Sequence, residues 1–478
     1  MAEPLYTRRM TPRGLKDFLP KDAARKRAVE TALANTFARW GYEEVITPTV
    51  EFFESLALGA GPELVEKMYR LFDREGHTLA LRPEVTTPIG RVVATRLRDE
   101  LLPLRLYYVA NVFRYEEPQA GRQREFWQAG VELVGATGPA ADAEVIALAA
   151  TALAAAGLEH FRVDIGQVGY FNGILEGAAL SEDDRRALRR ALLRRDYVAL
   201  DELLARTGLP ADKQRLLREL PRLRGREEAI ERAWILADNA TSRRAAENLR
   251  DIYRALADHG VAERVYVDFG MIKDLDYYTG MVLEGYTPDL GFTVLTGGRY
   301  DNLIGRFGYD CPATGFVVGV ERLMLALTGQ GWDPGRDEGN RRWLLSCDDA
   351  GRSRALAAAA ALRSRGWQVA VDVVPRSLED AIAYARARGI AHVARYVGTQ
   401  PVRVYSAPDY RERLESSPGP GQAGEEQPGR GGKGHLAPAG FAPADGDELV
   451  QDGSELLALL DPERARAVEP AAEGGGEA

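Results

Sequence analysis

A chain of 478 residues, with 62 Lys+Arg against 71 Asp+Glu, is long enough for about two to four domains with buried cores. Its 45% hydrophobic and 28% charged residues predict a soluble globular protein, and no run approaches the roughly 18–20 apolar residues of a membrane helix. A net charge of −9 argues against a protein that coats nucleic acid, and two cysteines with five scattered histidines argue against a disulfide framework or a metal cluster.

Met1–Arg9 lacks the apolar core of a secretory signal, so a cytoplasmic location is expected. From Lys21 to Trp40, the residues Val29, Leu33, Phe37 and Trp40 recur at helical spacing and predict an amphipathic helix. Gly41 stops it, and Glu43–Thr47 reads as a strand closed by Pro48. Arg105–Tyr115 and Glu125–Gly135, rich in Tyr, Val and Phe, predict a long antiparallel hairpin whose turn, Glu116–Arg124, holds Pro118 and Gly121. Ala140–Ala156 is an Ala-rich helix ending at Gly157. Strand-like Arg162–Gly166 then gives way to helical sequence from Ser181 to about His259, read as an insertion at about 176–260. β character returns at Arg264–Gly270, Met281–Tyr286 and Gly291–Leu295, and Gly315–Val320 feeds a helix beginning near Glu321.

Residues 331–340 read as a linker after a core domain of 1–330. Beyond it, Arg342–Cys347, Ser353–Arg365, Val369–Val374, Leu378–Arg388 and His392–Tyr396 alternate strand and helix, which predicts a small α/β domain over 341–478. Within that domain 416–445 is dense in Gly and Pro and expected to be disordered, between strand-like Val402–Ser406 and Glu448–Val450. Ser454 fits the N-cap of a short helix, Glu455–Leu460.

Six sites could carry chemistry. Around the hairpin turn, Arg114, Glu116, Arg122 and Arg124 could clamp phosphate or carboxylate, although a solvated charged hairpin is the plainer alternative. Gln128, Gly130 and Glu132 share one strand face, where the small Gly130 leaves room for a ligand. The turn at Pro83 sets Glu84 and Thr86 where they could capture an ammonium, or serve only as caps. Of Tyr277 and Tyr278, adjacent in an extended segment, one can pack while the other lines a pocket. Gly297-Gly298 either lets backbone approach a ligand or is simply a turn, and Arg322 at a strand-to-helix junction either reaches a phosphate or sits in a surface ion pair.

Taken in order, these segments resemble class II aminoacyl-tRNA synthetases, and histidyl-tRNA synthetases in particular. Thr11-Pro12-Arg13-Gly14 with Asp17 is similar to the N-terminal signature of that family, and Lys21–Pro48 to its dimer-forming motif 1. Phe113-Arg114-Tyr115-Glu116 through Glu132 resembles motif 2, and Gly315–Arg322 motif 3. Leu275–Gly280 and Gly297–Asp301 resemble the two histidine-specific peptides. The resemblance implies an α+β fold: a class II synthetase-like antiparallel sheet core with a helical insertion, plus a C-terminal α/β domain like the anticodon-binding one.

The departures from that family separate two ends of the implied site. Lys273-Asp274 stands where the synthetases carry Arg-Gly, and a carboxylate about 4 Å from a phosphate opposes it by roughly 4 kcal/mol at an effective dielectric near 20. Glu117 replaces an arginine that faces tRNA, and Trp127 stands where histidine is frequent. The residues implied to bind histidine remain: Glu84, Thr86, Gln128, Glu132, Tyr277 and Tyr278. Such a chain resembles the paralogous family of regulatory subunits of ATP phosphoribosyltransferase, as do Gly121–Gly130 and Gly166–Gly173. That likeness implies a subunit without catalytic residues or cofactor, a class II-type dimer that joins a short-form catalytic subunit, and histidine as effector. It implies no tRNA and no membrane partner. Arg114, Arg122, Lys273 and Arg322 would be vestigial phosphate ligands. The alternative is an authentic histidine–tRNA ligase, with Arg114 and Arg322 on ATP and Lys273 in the arginine's place.

Overall fold

The structure, a computed structural model, describes residues 10–117, 123–272, 278–288, 290–332, 342–400, 402–406 and 448–450. Arg122, Lys273, Tyr277, the Gly/Pro-rich stretch and the Glu455–Leu460 helix lie outside them. The chain divides into two compact units, Met1–Asp333 and Pro334–Ala478. Among the described residues no helix is long and apolar enough to cross a membrane.

The first unit is built on a nine-stranded sheet. Its order is Glu43–Glu44, Leu104–Phe113, Glu125–Val134, Ala313–Gly319, Leu295–Arg299, Met281–Tyr286, Arg162–Gln167, Val265–Asp268 and Arg224–Gly225. The central pairs are antiparallel; Glu43–Glu44 with Leu104–Phe113, and Arg162–Gln167 with Val265–Asp268, are parallel. Alternation assigns its two faces. Ala129, Val131 and Leu133 point to one side, onto a core shared with Val29, Leu33 and Phe37 of the helix Pro20–Arg39. Gln128, Gly130 and Glu132 point to the other.

Against the core face lies the helix Pro139–Ala155, buried nearly all round between the sheet and the helices Pro20–Arg39 and Ala240–Asp258. Its alanines allow that close approach on several sides, which explains a composition without an apolar stripe. Pro139 at its first turn gives up no intrahelical bond. Asp142 in that turn is buried and bridges Arg299 at 2.8 Å, tying helix to sheet.

Three local expectations need correction. The strand read over Glu43–Thr47 is only Glu43–Glu44, although Val45 still donates to the Tyr107 carbonyl. The strand read at Gly291–Leu295 instead spans Leu295–Arg299, so Gly297-Gly298 is central strand and not a turn. Crowding explains it: a Cβ on Gly297 would collide with the Gly315 carbonyl of the next strand. Trp332, read as linker, packs against the core beside Gly157.

The insertion is helical, with Glu182–Leu193, Tyr197–Arg206, Ala211–Glu219, Glu227–Leu236 and Ala240–Asp258, and it adds the edge strand Arg224–Gly225. In the second unit, Arg342–Cys347, Gln368–Val371 and His392–Tyr396 pair in parallel, with Val402–Ser406 and Glu448–Val450 antiparallel at one edge. The helices Arg352–Arg363 and Leu378–Ala387 cover it through alanines and Leu362 or Ile382.

Candidate functional site

The sheet face opposite the core carries a cavity of about 590 Å³. Its floor is a row of glycines. Strand register sets Glu132 opposite Gly315 and Gly315 opposite Gly298, while Gln128 lies opposite Gly319. These bare positions are required by their neighbours. A Cβ at Gly315 would strike Glu132 Oε2 and the Val131 carbonyl, and one at Gly298 would lie 2.8 Å from the Tyr278 ring. The glycines therefore let a carboxylate and an aromatic ring lie flat on the sheet.

Glu132 is buried on this floor and held at both oxygens. Thr86 Oγ1 donates to Oε1 at 2.8 Å, and the Tyr300 hydroxyl donates to Oε2. Burial nevertheless outweighs these bonds and pushes its carboxyl up to about 8. Glu84 accepts the Thr87 N–H at 3.1 and 3.2 Å, and burial raises it too, against those bonds and the nearby Arg114. The phenol of Tyr108 is pushed far up, by burial first and then by Glu132 and Glu84. Gln128 is buried, and its Oε1 has no hydrogen-bond partner among the described residues. Two desolvated carboxyls and an unsatisfied amide oxygen in the lining of one cavity suit a small cationic, hydrogen-donating ligand.

Two arginines also line the cavity. Arg114 Nε donates to the Pro83 carbonyl at 2.8 Å with its guanidinium 5.2 Å from the Phe126 ring centre. Arg322 Nη1 donates to the Thr293 carbonyl at 3.1 Å and lies over Phe292. Beside them Trp127 donates its N–H to Glu321 at 2.9 Å and takes the Lys26 ammonium over its ring at 3.7 Å. Burial lifts Glu321 to about 7. At the rim, Glu117 pairs with Arg13 at 2.9 Å and lies 4.0 Å from Arg124, so two arginines answer the charge that sequence comparison singled out.

Of the sequence-predicted residues, Glu84, Thr86, Gln128, Glu132, Tyr278, Arg114 and Arg322 all line this cavity. The room expected above Gly130 is taken by the Tyr108 hydroxyl, which would sit 2.5 Å from a Cβ there. Tyr108 and Tyr300 were missed as site residues. Tyr300 belongs to the Gly297–Asp301 peptide, which was a usable signal; Tyr108 enters only through its pairing with Gly130. Among the described residues Asp73, Glu75 and His77 alone gather three metal-type ligand atoms, in an exposed turn where Asp73 already accepts from His77.

Comparison with known proteins places this geometry. A family model for histidyl-tRNA synthetase matches residues 14–323. A protein of Moorella thermoacetica named ATP phosphoribosyltransferase regulatory subunit is 45% identical over 381 residues, 79% of this chain and 96% of that one. A protein of the same name from Symbiobacterium thermophilum is 45% identical over 83% of this chain and 98% of that one. Among solved structures, one described as an ATP phosphoribosyltransferase regulatory subunit/histidyl-tRNA synthetase from Bacillus halodurans superposes with a TM-score of 0.73 at 32% identity, covering 82% of this chain and 99% of that one. The histidyl-tRNA synthetase of Nostoc, at 20% identity and a TM-score of 0.71 over 85% of this chain and 99% of that one, shares the fold.

Proposed function

We propose a function from one premise: the chain belongs to the family of ATP phosphoribosyltransferase regulatory subunits, which are built on the histidyl-tRNA synthetase fold. It serves histidine biosynthesis as the regulatory partner of a short-form catalytic subunit, and the complex forms phosphoribosyl-ATP from ATP and phosphoribosyl pyrophosphate. Histidine is the effector, and the cavity over Glu132 is its receptor. The observation that carries this is one cavity lined by both a buried carboxyl, held by Thr86 and Tyr300, and the unsatisfied Gln128 oxygen. An ammonium and an imidazole N–H supply the donors these groups lack. An analogue without the ring N–H leaves buried acceptors unpaired and is rejected.

Inhibition follows if histidine favours one quaternary state, with a coupling of typically about 1–3 kcal/mol to the distant catalytic site. The chain has no aminoacylation activity in this reading, which the Lys273-Asp274 and Glu117 substitutions support. Self-association runs through the Lys21–Pro48 segment. Support comes from Ile46, 84% exposed within it, and from exposed Val50, Phe52 and Phe72 on the three-stranded sheet that follows. One observation favours the ligase reading: Arg114 and Arg322 both still face the cavity, as phosphate-clamping residues would.

Purified chain mixed with a short-form catalytic subunit tests the two. The expected result is a complex whose phosphoribosyl-ATP synthesis is inhibited by histidine, with that inhibition shifted by Glu132→Gln to histidine concentrations about 10- to 150-fold higher. Failure of the two proteins to associate, or robust histidine-dependent ATP–pyrophosphate exchange by this chain alone, would overturn it.

A further inference from the structure

The helical insertion holds a second concavity, remote from the glycine-floored cavity in its lining. It lies between the helices Glu227–Leu236 and Ala240–Asp258 and encloses about 290 Å³. Its apolar centre is not covered. Trp234 is 43% exposed and Ile235 74%, which is a large amount of apolar side chain to leave in water on one short helix.

The two rims of this groove carry opposite charge. Glu227 and Glu231, one turn apart, line the first; Arg250 and Arg254, one turn apart on the neighbouring helix, line the second. They do not neutralise each other across the gap. Among the described residues Arg250 and Arg254 make only loose pairs, to Asp251 of their own helix at 3.8 and 3.9 Å, and Glu227 and Glu231 form no ion pair. Arg250 Nε is moreover buried with no hydrogen-bond partner.

A patch with an acidic half, a basic half and an apolar centre is complementary to itself under a twofold rotation. Each acidic rim then meets the basic rim of the other copy, while Trp234 and Ile235 cover one another across the axis. We propose that this groove is a self-association surface occupied by a second copy of the chain, separate from the contact made by the Lys21–Pro48 segment. The groove's eight lining residues are fewer than the roughly 20–30 per side of a standard interface, so the contact is weak and depends on concentration.

Charge reversal tests it on the full chain. Sedimentation over rising concentration is expected to show a twofold increase in mass for the unaltered protein. Glu231→Arg cancels the charge of the acidic rim and Arg254→Glu that of the basic rim, so each variant alone loses that increase. An equimolar mixture of the two regains it, because each now complements the other. Thermal melting checks that each variant is folded, and Glu227→Arg with Arg250→Glu forms an independent second pair. The proposal is overturned if the unaltered chain shows no such increase, if the single reversals leave it intact, or if the mixture fails to recover it. It is equally overturned if the reversals spare the mass of the chain but abolish binding of a catalytic subunit, since the occupant is then another protein.

Discussion

The floor and the rim of the large cavity use the same residue types by opposite means. On the floor Glu132 has lost its water and rests on glycines, held by Thr86 and Tyr300. At the rim Glu117, with two thirds of its side chain exposed, keeps its water and pairs with Arg13 and Arg124. The difference teaches that a carboxylate's place in the sequence says little until its desolvation is known. Buried, it becomes a costly group waiting for a cation; exposed, it is worth well under about 1 kcal/mol.

The strongest test of that contrast is pH. Glu132 is lifted from an ordinary value near 4.5 to about 8 on folding. Its folded form therefore holds a proton that the unfolded chain releases. The resulting stability is fully present below the unfolded value and is lost as pH rises through about 8, and Glu84 shifts in the same direction. Urea unfolding of the ligand-free chain is expected to weaken by on the order of a few kcal/mol between pH 5 and 9, and Glu132→Gln to flatten most of that slope. A flat profile in the unaltered protein would remove the floor's distinction from the rim.

Next in size, Gly315→Ala forces a methyl onto the Val131 carbonyl, which no side-chain rotation can move, and onto the Glu132 carboxyl, which can move only by breaking its bonds to Thr86 and Tyr300. A loss of about 1–3 kcal/mol in urea unfolding is expected, with histidine binding absent in calorimetry. Gly319→Ala on the same strand is the control, since its methyl meets only the flexible Arg322 stem at 3.4 Å. Glu132→Gln itself is expected to weaken histidine binding about 10- to 150-fold, the value of a charge-assisted hydrogen bond of roughly 1.5–3 kcal/mol. Smallest of all, Glu117→Arg changes stability by less than about 0.5 kcal/mol, while raising salt-dependent retention of tRNA on a filter. Unchanged retention would show that this charge has no effect on RNA contact.

Much of the frame was legible from local pattern. The hairpin read over Arg105–Tyr115 and Glu125–Gly135 forms as Leu104–Phe113 and Glu125–Val134, because alternation and β-branched or aromatic content specify strands without outside help. The Ala-rich helix follows from alanine's helix propensity, and the second unit from its alternation of strand-like and helix-like segments. Placing the strand at Gly291–Leu295, short of Gly297-Gly298, has a physical source: glycine is a poor strand former by propensity, and only the crowding of Gly315 and Tyr278 beside the pair makes it fit there. In the site, Glu84, Thr86, Gln128, Glu132 and Tyr278 were candidates from local pattern, and likeness to a family gave them a histidine-binding role. Tyr300 and Tyr108 were not, since their roles arise from partners 168 residues away and from cross-strand register.

The sequence by itself determined where strands and helices form, which face of the central hairpin is apolar, and which polar residues were candidates for a ligand. Those properties repeat over two to four residues and are carried by neighbours in the chain. Only the tertiary structure decided that Glu132 would be stripped of water, that glycines from two other strands would floor it, and that Gln128 would be left with an unsatisfied oxygen. Desolvation depends on atoms distant in sequence closing over a group, and no local spacing encodes it.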